Sequence, residues 1–301
     1  MLLCAIALAD SKTLAVQIAL DRHGYSPSAI DGQWGRKSQA ALTRYCADHR
    51  VPLPETPEAA YDQLFANEPP PFGYDTISAE ELAAIVKVPD EPAKKAALTS
   101  FGYESIAEMY AERGHVSQIT IKRLNPNIDW QAPKAGDRIL LPDFPDTETD
   151  LAAVKHADPP PPKPGEATLL KISLSRFEIA AYNCEGRLLA LFPCSIAKDK
   201  SKAPKGELRV VSLIARPNYT YTPDYVPAGK KKTRHIFPPG PNNPVGITWI
   251  GLSLPGYGIH GTPKPESIGR PESHGCFRLA NWNAARLYAL CRIGTRVEIS
   301  E

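Results

Sequence analysis

Apolar residues recur along this chain in two rhythms. In the first part the rhythm is helical. Leu14, Ala15, Ile18 and Ala19 share one stripe, and Ala41, Leu42, Tyr45 and Cys46 share another. This spacing predicts two helices, the first ended by His23-Gly24. Between them lies the turn-rich stretch Ile30-Asp31-Gly32-Gln33-Trp34-Gly35. A short helix is expected over 78–88, with Ser78 as its cap and Glu81 three residues on, as in a capping box. Another is expected over 105–113, with Ile106, Ala107 and Tyr110 on one face. Asn125-Pro126-Asn127 then reads as a turn, and Gly136-Asp137 leads into a short strand over 138–141 stopped by Pro142.

From Ala167 the rhythm changes to short β-forming runs. Strands are expected over 169–174, 176–183, 188–196, 207–214, 246–252 and 296–300, with a turn at Glu185-Gly186. Many short strands with Gly/Pro turns predict an all-β sandwich or barrel-like domain. One helix interrupts it over 281–292, with Asn281 as N-cap and Gly294 as terminator. The long stretch 216–239 carries Tyr219, Tyr221 and Tyr225 and several lysines. It reads as a substrate lid or, equally, as packing beside a solvated basic face.

Composition adds boundaries. The chain has 301 residues, room for two or three domains, and 31 prolines that cluster rather than scatter. The run Asp158-Pro159-Pro160-Pro161-Pro162-Lys163-Pro164-Gly165 predicts an extended spacer. At about 3.1 Å per residue it would hold the domain after it some tens of ångströms from what precedes it. A net charge of +2 gives no argument for nucleic acid or an anionic membrane. No apolar run is long enough to span a bilayer. The start, MLLCAIALAD, ends in an Ala-Leu-Ala cleavage pattern and is expected to be the remnant of a secretory signal. Of the six cysteines, Cys46, Cys184, Cys194 and Cys291 read as small buried residues.

The candidate chemistry sits in residues 259–281, IHGTPKPESIGRPESHGCFRLAN. Rich in Gly and Pro, it reads as an ordered loop presenting His260, Ser273, His274 and Cys276. A neighbouring imidazole can take the thiol proton and hold an ion pair. Glycine beside the cysteine lets backbone N–H groups turn toward an oxyanion. From the residues alone, two other readings stay open: a buried structural cysteine, and a zinc site on His260, His274 and Cys276, although no fourth ligand is evident.

The order Ile259, His260, Gly261, Thr262, Gly269, Ser273, His274, Gly275, Cys276, Arg278 resembles the active-site signature of the YkuD-like L,D-transpeptidase catalytic domain. The stretch 238–246, PPGPNNPVG, resembles the segment that precedes that site. The order Gln17, Leu20, Gly24-Tyr25, Ile30-Asp31-Gly32, Trp34-Gly35, Ser38, Ala41-Leu42, Tyr45 resembles the peptidoglycan-binding three-helix domain. Asn125-Pro126 and Gly136-Asp-x-Ile-Leu-x-Pro142 resemble a LysM domain, a βααβ frame that binds N-acetylglucosamine glycans.

With the cleavage pattern and the proline-rich run, these resemblances divide the chain into a signal remnant (1–9), a helical wall-binding domain (10–66), a linker with a short helix (67–98), a LysM-like α+β domain (99–144), a Pro-rich linker (145–166) and a mainly β catalytic domain (167–301). They imply that Cys276 acylates itself with the tripeptide part of a peptidoglycan stem, releases D-alanine and passes the acyl group to an amine, giving a 3→3 crosslink. His260 is the implied base, with the Gly261 carbonyl fixing its tautomer and His274 as rival base. The N–H groups of Gly275 and Cys276 are expected to form the oxyanion hole. Ser273 and His274 shape the site, and Arg278 meets a stem carboxylate or pairs within the loop. No metal or organic cofactor is implied. The partners are stem peptides and glycan strands, and the location is the periplasm or cell envelope. An L,D-carboxypeptidase, a non-catalytic wall-binding adapter and a thiol-redox protein are the alternatives; the last lacks a CxxC.

Overall fold

The structure, a computed structural model, describes residues 11–144, 151, 163–199, 202–223, 232–273 and 275–301. The proposed signal remnant, most of the proline-rich run, Tyr225 and His274 lie outside them. Among the described residues no helix is long and apolar enough to cross a membrane.

The helical unit consists of α1 (Lys12–Arg22), α2 (Arg36–His49) and α3 (Pro57–Ala60), the last running into a π-helical turn, Tyr61–Phe65. Gln17 explains the loop between α1 and α2. Its amide nitrogen donates to the Gln33 carbonyl at 3.0 Å and Ser38 Oγ at 3.0 Å, and its oxygen accepts from the Gly32 N–H at 2.8 Å. A buried amide used at both ends fixes the turn in one shape. α1 is buried around most of its circumference, beyond the expected stripe. Leu14 and Ile18 join one core and Val16, Ala19 and Leu20 another. The polar Gln17 and Asp21 are buried with them, each hydrogen-bonded to a side-chain partner, Ser38 for Gln17 and His115 for Asp21. Leu14, Val16, Ile18 and Leu20 are wholly buried, each contributing about 1.5–3 kcal/mol by removal from water.

The next unit is α/β. Strand β1 (Phe72–Thr76) pairs antiparallel with β2 (Arg138–Pro142), so residues 67–98 are more than the expected linker: they supply a strand of this unit. Between the strands come α4 (Ala79–Ala83), α5 (Pro92–Ala96), α6 (Ile106–Arg113) and α7 (Gln118–Leu124). The capping box of Ser78 and Glu81 is present, though the helix stops at Ala83, short of the expected 88. Ser105 and Ser117 cap α6 and α7 through their side-chain oxygens. The Asn125 side chain bonds both the Ile121 and Leu140 carbonyls and accepts from the Leu140 N–H at 2.7 Å, tying the end of α7 to β2.

The third unit contains β3 (Leu169–Ser173), β4 (Glu178–Tyr182), β5 (Leu188–Pro193), β6 (Ile196–Ala197), β7 (Gly206–Ala215), β8 (Tyr219–Tyr221), β9 (His235–Phe237), β10 (Thr248–Leu252), β11 (Gly258–His260), β12 (Pro271–Ser273), β13 (Phe277–Arg278), α8 (Asn281–Leu290) and β14 (Arg296–Ser300). Eight strands form one mixed, curled sheet in the order β13-β11-β10-β7-β14-β3-β4-β5. The pairs β11–β13 and β3–β14 are parallel. Long β7 pairs with both β10 and β14 and carries the sheet round its bend, with a register shift at Gly251/Leu252. α8 covers β10 and β11 with Ala284, Ala285, Leu287 and Tyr288. Its N-cap is Ala280; Asn281, expected in that role, is the first helical residue and turns its side chain elsewhere. The stretch 216–239, expected as a loop, contains the antiparallel pair β8–β9. Cys46, Cys194 and Cys291 are buried, but Cys184 is exposed, since it falls in the turn after β4.

The units pack directly against one another, contrary to the separation expected from the proline-rich spacer. Ile30 bridges to Val116 of the α/β unit. Tyr25 bridges to Leu191 of β5, with the Ser26 N–H on the Leu191 carbonyl at 2.9 Å and the Leu191 N–H on the Gly24 carbonyl at 2.7 Å. On the other side, the Phe101 N–H donates to the Pro239 carbonyl at 2.8 Å, and Phe101 stacks on Phe237 of β9 at 5.5 Å.

Candidate active site

β10 and β11 are a hairpin, and β13 adds parallel to β11 with Ile259 opposite Phe277 and His260 opposite Arg278. Cys276 therefore stands at the mouth of β13, two residues from the register position of His260. The chain between them is pinned at several points. β12 pairs with β6. Ser195 Oγ donates to the Ser267 carbonyl at 3.0 Å, and Lys37 Nζ of the helical unit donates to the Ile268 carbonyl at 2.6 Å.

His260 is buried and its ring stacks on Trp249 at 5.6 Å. Its Nδ1 lies 2.7 Å from the Gly261 carbonyl oxygen. A carbonyl only accepts, so Nδ1 carries the proton and Nε2 is bare. Burial pulls the imidazole down to about 4; the Gly261 carbonyl opposes this, and the Arg278 charge adds to it. Burial pushes the Cys276 thiol up, opposed by the Gly258 N–H and by Arg278. The thiol donates to the Gly256 carbonyl at 3.6 Å. The resting site thus holds a neutral thiol and a neutral imidazole. The ion pair expected from sequence is disfavoured because both charged forms lose hydration.

Ser273 is buried and works on the backbone. Its Oγ donates to the Cys276 carbonyl at 2.5 Å and accepts from the Gly275 N–H at 3.2 Å. The Gly275 N–H, expected to point at an oxyanion, is already engaged there. Arg278 makes no ion pair among the described residues, and its Nε is buried without a partner. Tyr219 and Tyr221 lie against Phe237, Tyr221 stacked at 5.3 Å, and through Phe237 they reach Phe101. Among the described residues no cluster of His, Cys, Asp and Glu forms a ligand set for a metal ion.

Four contributors escaped the sequence reading. Trp249 stacks on the imidazole, Gly258 turns its N–H to the sulfur, and Lys37 reaches the loop from another unit. Asn281 lies against Gly261. A cross-strand partner of His260 was findable once β10 and β11 were paired; the others depend on long-range packing.

A family model described as the L,D-transpeptidase catalytic domain, YkuD, matches residues 167–299. A protein of Fuscovulum blasticum that carries the L,D-transpeptidase name, from its ATP synthase subunits region, is 34% identical over 142 residues. That is 45% of this chain and 70% of the relative. The Bacillus licheniformis protein of the same family name, YkuD, is 27% identical over 176 residues, 58% of this chain and 82% of its own. Among solved structures, L,D-transpeptidase 3 from Mycobacterium tuberculosis is similar with 18% identity and a TM-score of 0.36, covering 45% of this chain and 61% of that one. Domain and relatives together define a cysteine-dependent acyltransferase. Within that class, the chain belongs to the YkuD family of L,D-transpeptidases.

Proposed function

We propose that the protein crosslinks peptidoglycan, with Cys276 as nucleophile and His260 as base. The bare Nε2 of His260, held in one tautomer by the Gly261 carbonyl at 2.7 Å, is the observation that carries this reading. Cys276 Sγ attacks the carbonyl carbon of the third residue of a stem peptide, and its proton passes to Nε2. The tetrahedral intermediate collapses to a thioester as Nε2 returns the proton to the departing amine of D-alanine. An acceptor amine then attacks the thioester and loses its proton to Nε2. The thiol is regained and a 3→3 link is formed. This chemistry requires no cofactor.

The Cys276 N–H is the oxyanion donor in this scheme, since the Gly275 N–H is engaged by Ser273. The Gly258 N–H steadies the sulfur as it becomes anionic. The Arg278 guanidinium, with no ion pair among the described residues, suits a stem carboxylate. The β8–β9 hairpin with Tyr219 and Tyr221 acts as the lid. The helical unit (11–66) and the α/β unit (72–144) hold the glycan, the second through a LysM-like arrangement of β1, α6, α7 and β2 into which α4 and α5 are inserted. The protein works in the cell envelope.

The test is intact-protein mass after incubation with disaccharide-tetrapeptide, with Cys276→Ala alongside. An adduct of the stem minus one alanine, absent in the variant, supports the reading. Crosslinked dimers among the products identify a transpeptidase, and free tripeptide alone a carboxypeptidase. No adduct with folded, reduced protein overturns it.

A further inference from the structure

One side chain joins the α/β unit to the candidate base. Asn281, fully buried at the first position of α8, donates from Nδ2 to Glu112 Oε2 of α6 at 2.9 Å and to the Pro241 carbonyl at 3.1 Å. Both partners accept only, so the orientation of the amide is fixed. Its oxygen is thereby turned inward, where it is buried without a hydrogen-bond partner. It faces Gly261 and Gly246: a Cβ built on Gly261 would fall 2.2 Å from Oδ1, and one built on Gly246 would fall 2.1 Å from it and 2.6 Å from the Gly261 carbonyl carbon.

Gly261 is the residue whose carbonyl orients His260. Its own N–H makes only a long contact to the Thr248 carbonyl, 3.4 Å. The peptide carrying that N–H is anchored on its other side, where the His260 carbonyl accepts from the Leu279 N–H at 2.9 Å; the Gly261 carbonyl belongs to the next peptide, and packing holds it. Gly246 closes on one side and the Asn281 amide on the other. Glu112 is itself fixed, its Oε1 accepting from the Tyr103 hydroxyl at 3.0 Å.

We infer that Asn281 is a positioning residue for His260, acting through Gly261, and that Glu112 makes this positioning depend on the docked α/β unit. The inference rests on His260 being the base. A buried acceptor left unpaired is uncommon and calls for a reason. Here the reason is that the amide must present its oxygen to Gly261. A flipped amide would set a donor against the peptide whose carbonyl His260 Nδ1 requires. The α/β unit then does more than tether substrate: with Glu112 removed, the amide loses its outer anchor and the imidazole its fixed tautomer partner.

The test uses the full chain in a Cys184→Ser background, which removes the thiol that is exposed among the described residues. Two readouts are taken for Glu112→Leu, Glu112→Gln, Asn281→Ala and His260→Gln: the rate of acylation by disaccharide-tetrapeptide, and the pH profile of iodoacetamide alkylation located at Cys276 by mass. Melting temperature reports folding. Glu112→Leu and Asn281→Ala are expected to lower kcat by about tenfold to a hundredfold with little change in KM, and to alter the alkylation profile toward that of His260→Gln. Glu112→Gln, which keeps an acceptor, is expected to recover most of the rate. If Asn281→Ala does not fold, Glu112→Leu, at a half-buried position, carries the test. Folded Glu112→Leu or Asn281→Ala with the parent rate and profile, beside an inert His260→Gln, overturns this inference alone. His260→Gln with the parent rate overturns the assignment of the base and this inference with it.

Discussion

Lowering the pH from neutrality is expected to weaken this fold through one imidazole. His260 takes up a proton at about 4 in the folded chain, against 6.5 ordinarily. Below 6.5 the unfolded chain binds a proton there that the folded chain refuses, so stability falls as pH falls, and the effect ends near 4. Over that window the loss amounts to about 3 kcal/mol, at about 1.4 kcal/mol per pH unit. The burial of His260 licenses the full conversion, since little solvent screens the site. Denaturant unfolding at pH 7, 5.5 and 4.5, for the parent and for His260→Gln, isolates the contribution. The variant is less stable at pH 7 because it loses the Trp249 stack, but its slope is expected to be shallower by close to one proton. NMR titration of the His260 ring gives the folded value directly. Equal slopes in the two proteins, or a ring titrating near 6.5, would refute the argument that burial holds the imidazole neutral.

Three further outcomes follow from the geometry. Acylation is expected to be nearly flat between about pH 5 and 8, because a neutral thiol and neutral imidazole persist across that range; a steep limb inside it would point to a resting ion pair. Ser273→Ala leaves the Cys276 carbonyl and the Gly275 N–H unpaired, at about 1–3 kcal/mol each, so both melting temperature and acylation rate should fall. Gly240→Ala places a Cβ 2.1 Å from the Phe101 carbonyl oxygen at φ +146. It should destabilise the chain by about 1–3 kcal/mol and open the α/β unit to protease; unchanged melting and cleavage would show that contact to be unimportant.

The sheet strands were legible because short β-forming runs between turns speak for themselves, and β3, β4, β5, β7, β10 and β14 fall close to the expected ranges. The family was legible in the residue types from Ile259 to Arg278. Other features depend on partners distant in sequence, which local periodicity does not encode. β1 looked like linker because its partner, β2, follows only after four helices. Lys37, Phe101 and Glu112 carry no local sign that they meet the catalytic unit. The parallel pairs β3–β14 and β11–β13 need crossover connections, invisible to a reading of adjacent strands. The expected ion pair gave way to neutral groups because exposure, which decides the matter, is a property of the folded site.

The short pairing of Gly24, Tyr25 and Ser26 with β5 has a consequence for solubility. β5 is the last strand on its side of the sheet, and a bare outer strand offers unpaired amides to any passing chain. The helical unit occupies part of that rim, and at Gly24 the approach is close enough that a Cβ would sit 2.8 Å from the Leu189 carbonyl oxygen. A catalytic unit cut free at residue 167 would expose that rim, together with Ala180 and Leu191, which otherwise share a core with α1 and α2. Such a fragment invites strand-to-strand association between copies, which the helical unit hinders by covering part of that edge.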